Sequence, residues 1–138
     1  MCRNESGQAL ALLVAVLGFA AVIVGALLEA DGHLLARLHA TRAAEAAAEA
    51  AGGVAADRML DIRAEALAQH RAVDVVAAAL GDEDLAPQAE RAARDVLVPL
   101  GGELTRLTLA RRSDELSAKA EVRARGTSGL ARVGVRPP

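Results

Sequence analysis

The chain has 138 residues, a formal net charge of −2 and a mean hydropathy of +0.25. So even a charge balance argues against a nucleic-acid binder, which needs a basic surface to replace phosphate counterions. Phe19 is the sole aromatic residue, which removes base-stacking platforms, and the single cysteine, Cys2, excludes an intrachain disulfide.

The first eight residues form a polar prefix. Residues 9–28, ALALLVAVLGFAAVIVGALL, contain no charged side chain. Twenty such positions suit a helix crossing a bilayer core of about 30 Å. Three readings compete for this run. A retained membrane anchor fits its length best. A secretory signal peptide has a shorter apolar region, although Val24-Gly25-Ala26 offers a small-x-small site that would release a secreted binding module starting at Leu27. A buried helix of a soluble protein fits worst, because a small domain cannot surround twenty apolar residues. Arg3 before the run, with Glu29 and Asp31 after it, favours a cytoplasmic N-terminus and an extracytoplasmic remainder. Ala11, Ala15, Gly18, Ala21 and Gly25 recur at helical spacings and form a candidate face for close helix packing in lipid.

Residues 29–51 read as a soluble continuation of the same helix, with high intrinsic propensity. Leu34, Leu35 and Leu38 start an apolar stripe that continues only as alanine. Glu45 and Glu49 read as a solvated face. Gly52-Gly53 predicts a helix stop. A small α+β domain is expected over 52–125. Ala55 to Leu80 reads as an amphipathic helix. Gly81, Asp82-Glu83-Asp84 and Pro87 mark a turn and a new helix start. That third helix spans about Ala86 to Val98 and stops at Pro99 and Gly101-Gly102.

The period then changes from helical to alternating. Thr105, Leu107 and Leu109 fall on one side of a strand. After a turn at Arg112-Ser113-Asp114, Leu116, Ala118, Ala120, Val122 and Ala124 fall on one side and Ser117, Lys119, Glu121, Arg123 and Arg125 on the other. This is an antiparallel hairpin with one apolar face, which needs a helix to cover it. Residues 126–138 add an edge strand (Leu130 to Val135) or a mobile tail. The fold class is α+β: a long N-terminal helix, transmembrane then soluble, followed by helices and a C-terminal hairpin or small sheet.

No catalytic constellation emerges. His33 and His39 are six residues apart and fall on different helix faces, so they are poor joint metal ligands. Glu29 and His33 can pair as an ordinary exposed helix pair. Asp82-Glu83-Asp84 lacks the remaining ligands and the glycine of a calcium loop. No serine has a nearby base, and no glycine-rich loop lies between a strand and a helix. The expectation is a protein that is not an enzyme and has no metal, cofactor or small-molecule substrate.

Glu5-Ser6-Gly7-Gln8-Ala9-Leu10 stands directly before the apolar run. It resembles the R-x-x-G-Q-A opening of TadE/TadG-like proteins of tight-adherence (Flp) pilus systems. In that family a small acidic patch, a glycine and an Ala-rich helix come after the membrane helix. Glu29-Ala30-Asp31-Gly32 and the stretch from Leu35 to Ala51 are similar to that arrangement. The resemblance covers roughly residues 3–53 and implies a pilin-like architecture. It also implies prepilin-type processing at the Gly7–Gln8 bond. Leu12 stands where pilins proper carry a Glu, which points to a minor or accessory protein rather than a major filament subunit. The partners implied are the membrane, other pilin-like or secretion-assembly subunits, and further copies of the chain.

Overall fold

The computed structural model describes the backbone of residues 5–138 and the side chains of residues 14–138. The chain is an α+β protein with the order α1 (Glu5–Ala68), α2 (Val75–Leu80), α3 (Leu85–Leu97), β1 (Gly102–Arg112), β2 (Glu115–Ala124) and β3 (Thr127–Val135). It divides into two compact units, Met1–Leu35 and Ala36–Pro138.

In the second unit, the three strands form one antiparallel sheet in the order β1-β2-β3. The C-terminal segment is therefore a full strand, and the hairpin is extended to three strands. Arg125 and Gly126 join β2 to β3 with φ of 49° and 75°. This is the left-handed pair that a two-residue hairpin turn matched to strand twist requires. Leu116, Ala118, Ala120, Val122 and Ala124 of β2 are all buried, as their alternation predicts.

The α1 residues Ala40, Ala43, Ala44, Ala47, Ala48, Ala51 and Ala55 form the stripe that covers this face, each almost fully buried. Their three- and four-residue spacing keeps them on one side of the helix. Ala89, Ala93 and Leu97 of α3 complete the same cluster with Ala118, Ala120 and Val122. Farther along α1, Ala55 and Met59 meet Val76, Ala79, Leu85 and Leu116 in a second cluster. Alanine on the helix and on the central strand brings the two layers very close. At Gly129 of β3 an added Cβ would lie 2.1 Å from the Ala40 carbonyl oxygen. Helix backbone and strand backbone touch there.

Three expectations are corrected. The helix does not stop at Gly52-Gly53. Gly52 serves packing instead: a Cβ there would sit 3.3 Å from Val135 Cγ2 and 3.4 Å from Val133 Cγ1. Consequently the helix expected over 55–80 is not one element. Its first part belongs to α1, and only Val75–Leu80 stands separately. The actual stop is at His70, whose φ is 51°. Its N–H donates to the Leu67 carbonyl, and the Arg71 N–H donates to the Ala66 carbonyl. Those two bonds make a Schellman cap with histidine in the place glycine usually takes.

Thr105 is the third correction. It is exposed, because the register shifts between Leu104 and Arg106. That bulge puts Leu104, rather than Thr105, against the core with Leu107 and Leu109.

These contacts give opposite signs to two glycine substitutions. Gly129→Ala must push β3 off α1 and is expected to cost at least the roughly 1–3 kcal/mol typical of overpacking. Gly53→Ala, at a helical site where a Cβ meets nothing within 4 Å, is expected to stabilise by about 0.5–1 kcal/mol. Thermal melts of the full chain in detergent, followed by circular dichroism, measure both.

Candidate functional site

The first unit contains the described part of the apolar run. Its side chains face outward all the way round: Val14, Val16, Leu17, Phe19, Val22, Ile23, Val24, Leu27 and Leu28 are exposed, with Phe19 at 69%. None of the apolar window is buried within the protein. One helix near the N-terminus is thus long and apolar enough to be a candidate single membrane span.

Of the five candidate packing positions, Ala15, Gly18, Ala21 and Gly25 are described, and all are exposed. A Cβ at Gly18 or Gly25 would meet nothing within 4 Å. At about 100° per residue they share an arc of about 120° of the helix surface. Val14 and Val22 stand on the same arc, so bulkier side chains interrupt the small-residue face. Ala11 and the candidate processing residues Gly7 and Gln8 lie outside the residues whose side chains are described, as does Leu12.

The remaining polar candidates have structural explanations. His39 Nε2 lies 2.9 Å from the Leu100 carbonyl oxygen, tying α1 to the turn before β1. Glu29 and His33 are exposed and form no ion pair among the described residues. In the Asp82-Glu83-Asp84 turn, the Asp82 carboxylate is held by protein partners. Asp82 accepts the Asp84 N–H at 3.0 Å and pairs with Arg58 of α1. Asp74 caps α2 by accepting the Ala77 N–H at 3.1 Å, and its other oxygen accepts from Arg111 Nη1 at 2.5 Å. Among the described residues no three His, Cys, Asp or Glu side chains gather as a metal site. Between α2, α3 and β1 lies a groove of about 190 Å³, lined by Leu80, Asp82, Leu85, Ala86, Glu90, Leu107 and Leu109. It falls below the size of ordinary ligand pockets.

The site residues missed by sequence reading are the ion-pair anchors Arg58 and Arg111. Each partner lies far along the chain, so no local spacing announces the pair.

Comparison with protein-family models, curated proteins and solved structures finds no match to this chain. Function is therefore read from the residues themselves.

The two anchored carboxylates make acid stability measurable. The Arg111 hydrogen bond, then the Ala77 N–H, holds the Asp74 carboxyl below its ordinary range. The Asp84 N–H, then Arg58, does the same for Asp82. A depressed folded-state pKa contributes stability above the unfolded value of about 3.9, and that stability is lost as pH falls through the folded value. The melting temperature should hold down to about pH 4 and fall below it. Asp74→Asn with Asp82→Asn should flatten that acid-side fall in melts across the same pH series. Separately, Val22→Arg places a charge in mid-run at a cost of about 2.5–3.5 kcal/mol on an insertion scale. It should shift much of the protein from the membrane to the soluble fraction on alkaline extraction.

Proposed function

We propose that this chain is a membrane-anchored structural or accessory protein of the minor-pilin or pseudopilin kind. It acts in a tight-adherence-type pilus or secretion system by helix packing and protein–protein assembly. The observation that carries the reading is the apolar helical run whose large side chains have no partner within the protein. The second unit has a complete core of its own, and so leaves nothing there for that run to cover. Water would oppose such exposure over residues 14–28, whereas lipid favours it.

In this reading residues 9–28 span the membrane, the prefix stays cytoplasmic and the α+β unit stands outside the cell membrane. The Gly-Gln opening and the Ala-rich helix support the pilin-like affiliation. Leu12 supports an accessory role over that of a major subunit.

The test is alkaline carbonate extraction of the native protein, followed by N-terminal sequencing. Retention in the membrane with a start at Met1 or Gln8 is the expected result. Recovery in the soluble cytosol would sink the reading, and a start at Leu27 would replace it with a secreted binding module.

A further inference from the structure

The sheet ends at β1 on one side and at β3 on the other, and the two edges differ. β1 pairs only with β2. Ser113 and Asp114 join them as a two-residue loop, so the flanking pair, Arg112 and Glu115, exchanges both backbone hydrogen bonds. The bonding alternates from there. Ala110 and Thr108 turn their N–H and C=O groups toward β2, whereas Leu109 and Leu107 turn theirs toward the open edge. Among the described residues no loop, cap or side-chain hydrogen bond reaches the Leu107 or Leu109 backbone. A row of such groups is a template for another strand.

The same two leucines line the groove of about 190 Å³ between α2, α3 and β1. Its apolar wall is Leu80, Leu85, Ala86, Leu107 and Leu109. That volume suits an aliphatic side chain, since a cavity of about 150 Å³ takes a benzene-sized group. A strand added to β1 would lie about 4.8 Å away. Its inward side chains would then stand beside Leu107 and Leu109, over the groove. At β3, by contrast, α1 closes the inner side, with Gly52 set against Val133 and Val135.

Charge does not select the occupant. The two carboxylates at the groove, Asp82 and Glu90, are paired with Arg58 and Arg94. What is unmet is backbone hydrogen bonding and apolar burial together, and an extended polypeptide supplies both. A second copy does not supply such a segment. The inward side chains of its strands are packed in its own core, and in Arg136-Pro137-Pro138 two residues lack the N–H that pairing needs.

We propose that β1 takes up a short extended segment of another protein as a fourth, antiparallel strand, with an aliphatic side chain of that segment seated in the groove. Backbone pairing would give this contact its affinity, and the groove its choice of side chain. The inference deepens the assembly reading, on which it rests for its biological setting, by giving the chemistry of one partner.

The test uses the full chain in detergent micelles, with amide hydrogen exchange followed residue by residue by NMR. In the free protein the Leu107 and Leu109 amides should exchange fast, and those of Thr108 and Ala110 slowly. The probe is the capped peptide Thr-Leu-Thr-Leu-Thr. At saturation it should slow exchange at Leu107 and Leu109 roughly tenfold, and leave Leu130 and Arg132 of β3 unchanged. In an antiparallel pair with the leucines inward, their N–H groups face β1 and those of the threonines face away. N-methylation at the leucines should therefore lower affinity roughly tenfold, and N-methylation at the central threonine should not. Ala86 is exposed in α3, so Ala86→Leu fills the groove from outside the core. It should weaken the peptide roughly tenfold at an unchanged melting temperature.

Leu107 and Leu109 amides that are already slow in the free protein would overturn the proposal, because the edge would then be covered by this chain or a second copy. So would protection at β3 in place of β1, no protection at millimolar peptide, or binding that ignores N-methylation at the leucines. The peptide series on the wild-type chain decides the matter even if Ala86→Leu fails to fold. Failure of the membrane reading would instead appear as protein released by carbonate, with the peptide result unaffected.

Discussion

The second unit depends on how closely α1 can approach the sheet. At Gly129 the helix and strand backbones are in contact, because an added Cβ would fall 2.1 Å from the Ala40 carbonyl oxygen. Most side chains facing each other across that interface are small. The helix presents alanine from Ala40 to Ala55, and the central strand answers with Ala118, Ala120 and Ala124. Each alanine buries little apolar area, so burial alone stabilises the core weakly. The compensation is density, since atoms held at contact distance across a long interface add many small dispersion terms. The few large side chains, Met59, Leu97, Leu116 and Val122, are fully buried.

That thin core makes its peripheral ties matter. Arg58 of α1 holds Asp82 in the α2–α3 turn, and Arg111 of β1 holds Asp74 at the start of α2. His39 reaches the Leu100 carbonyl before β1. These contacts join each short element to a long one. Surface ion pairs are individually weak, yet α2 has only six residues and has Asp74 as its N-cap. Fixing its ends keeps Val76 and Ala79 in the second apolar cluster, where they cover Met59.

Patterns with a local cause were legible in the sequence. The alternation over β2 named its buried face correctly, since a strand with one covered face must repeat every two residues. The third helix and the turn at Ser113 were equally local. The errors arose where a residue served a distant partner. Gly52 has the chemistry of a helix stop, but its missing Cβ makes room for Val133 and Val135, at the far end of the chain. The true stop uses His70, a residue with no breaker signature. Thr105 fell on the wrong face because a bulge inserts a residue that simple alternation does not count.

Helix α1 sorts its apolar residues by size in an order that water would not select. From Val14 to Leu28 the large side chains, including Phe19 and Ile23, are exposed. From Ala40 to Ala55 the buried ones are the smallest that exist. A soluble helix does the reverse, burying its largest apolar groups because each buried methylene contributes about 0.8 kcal/mol. Two solvents reconcile the two stretches. Lipid accepts bulky side chains on every side, and a helix in it gains nothing by hiding them. Water requires a covered stripe, and a sheet approached at backbone contact admits only alanine in that stripe. The change from Leu and Val to Ala along one helix therefore marks where a candidate membrane span gives way to a helix packed against a sheet.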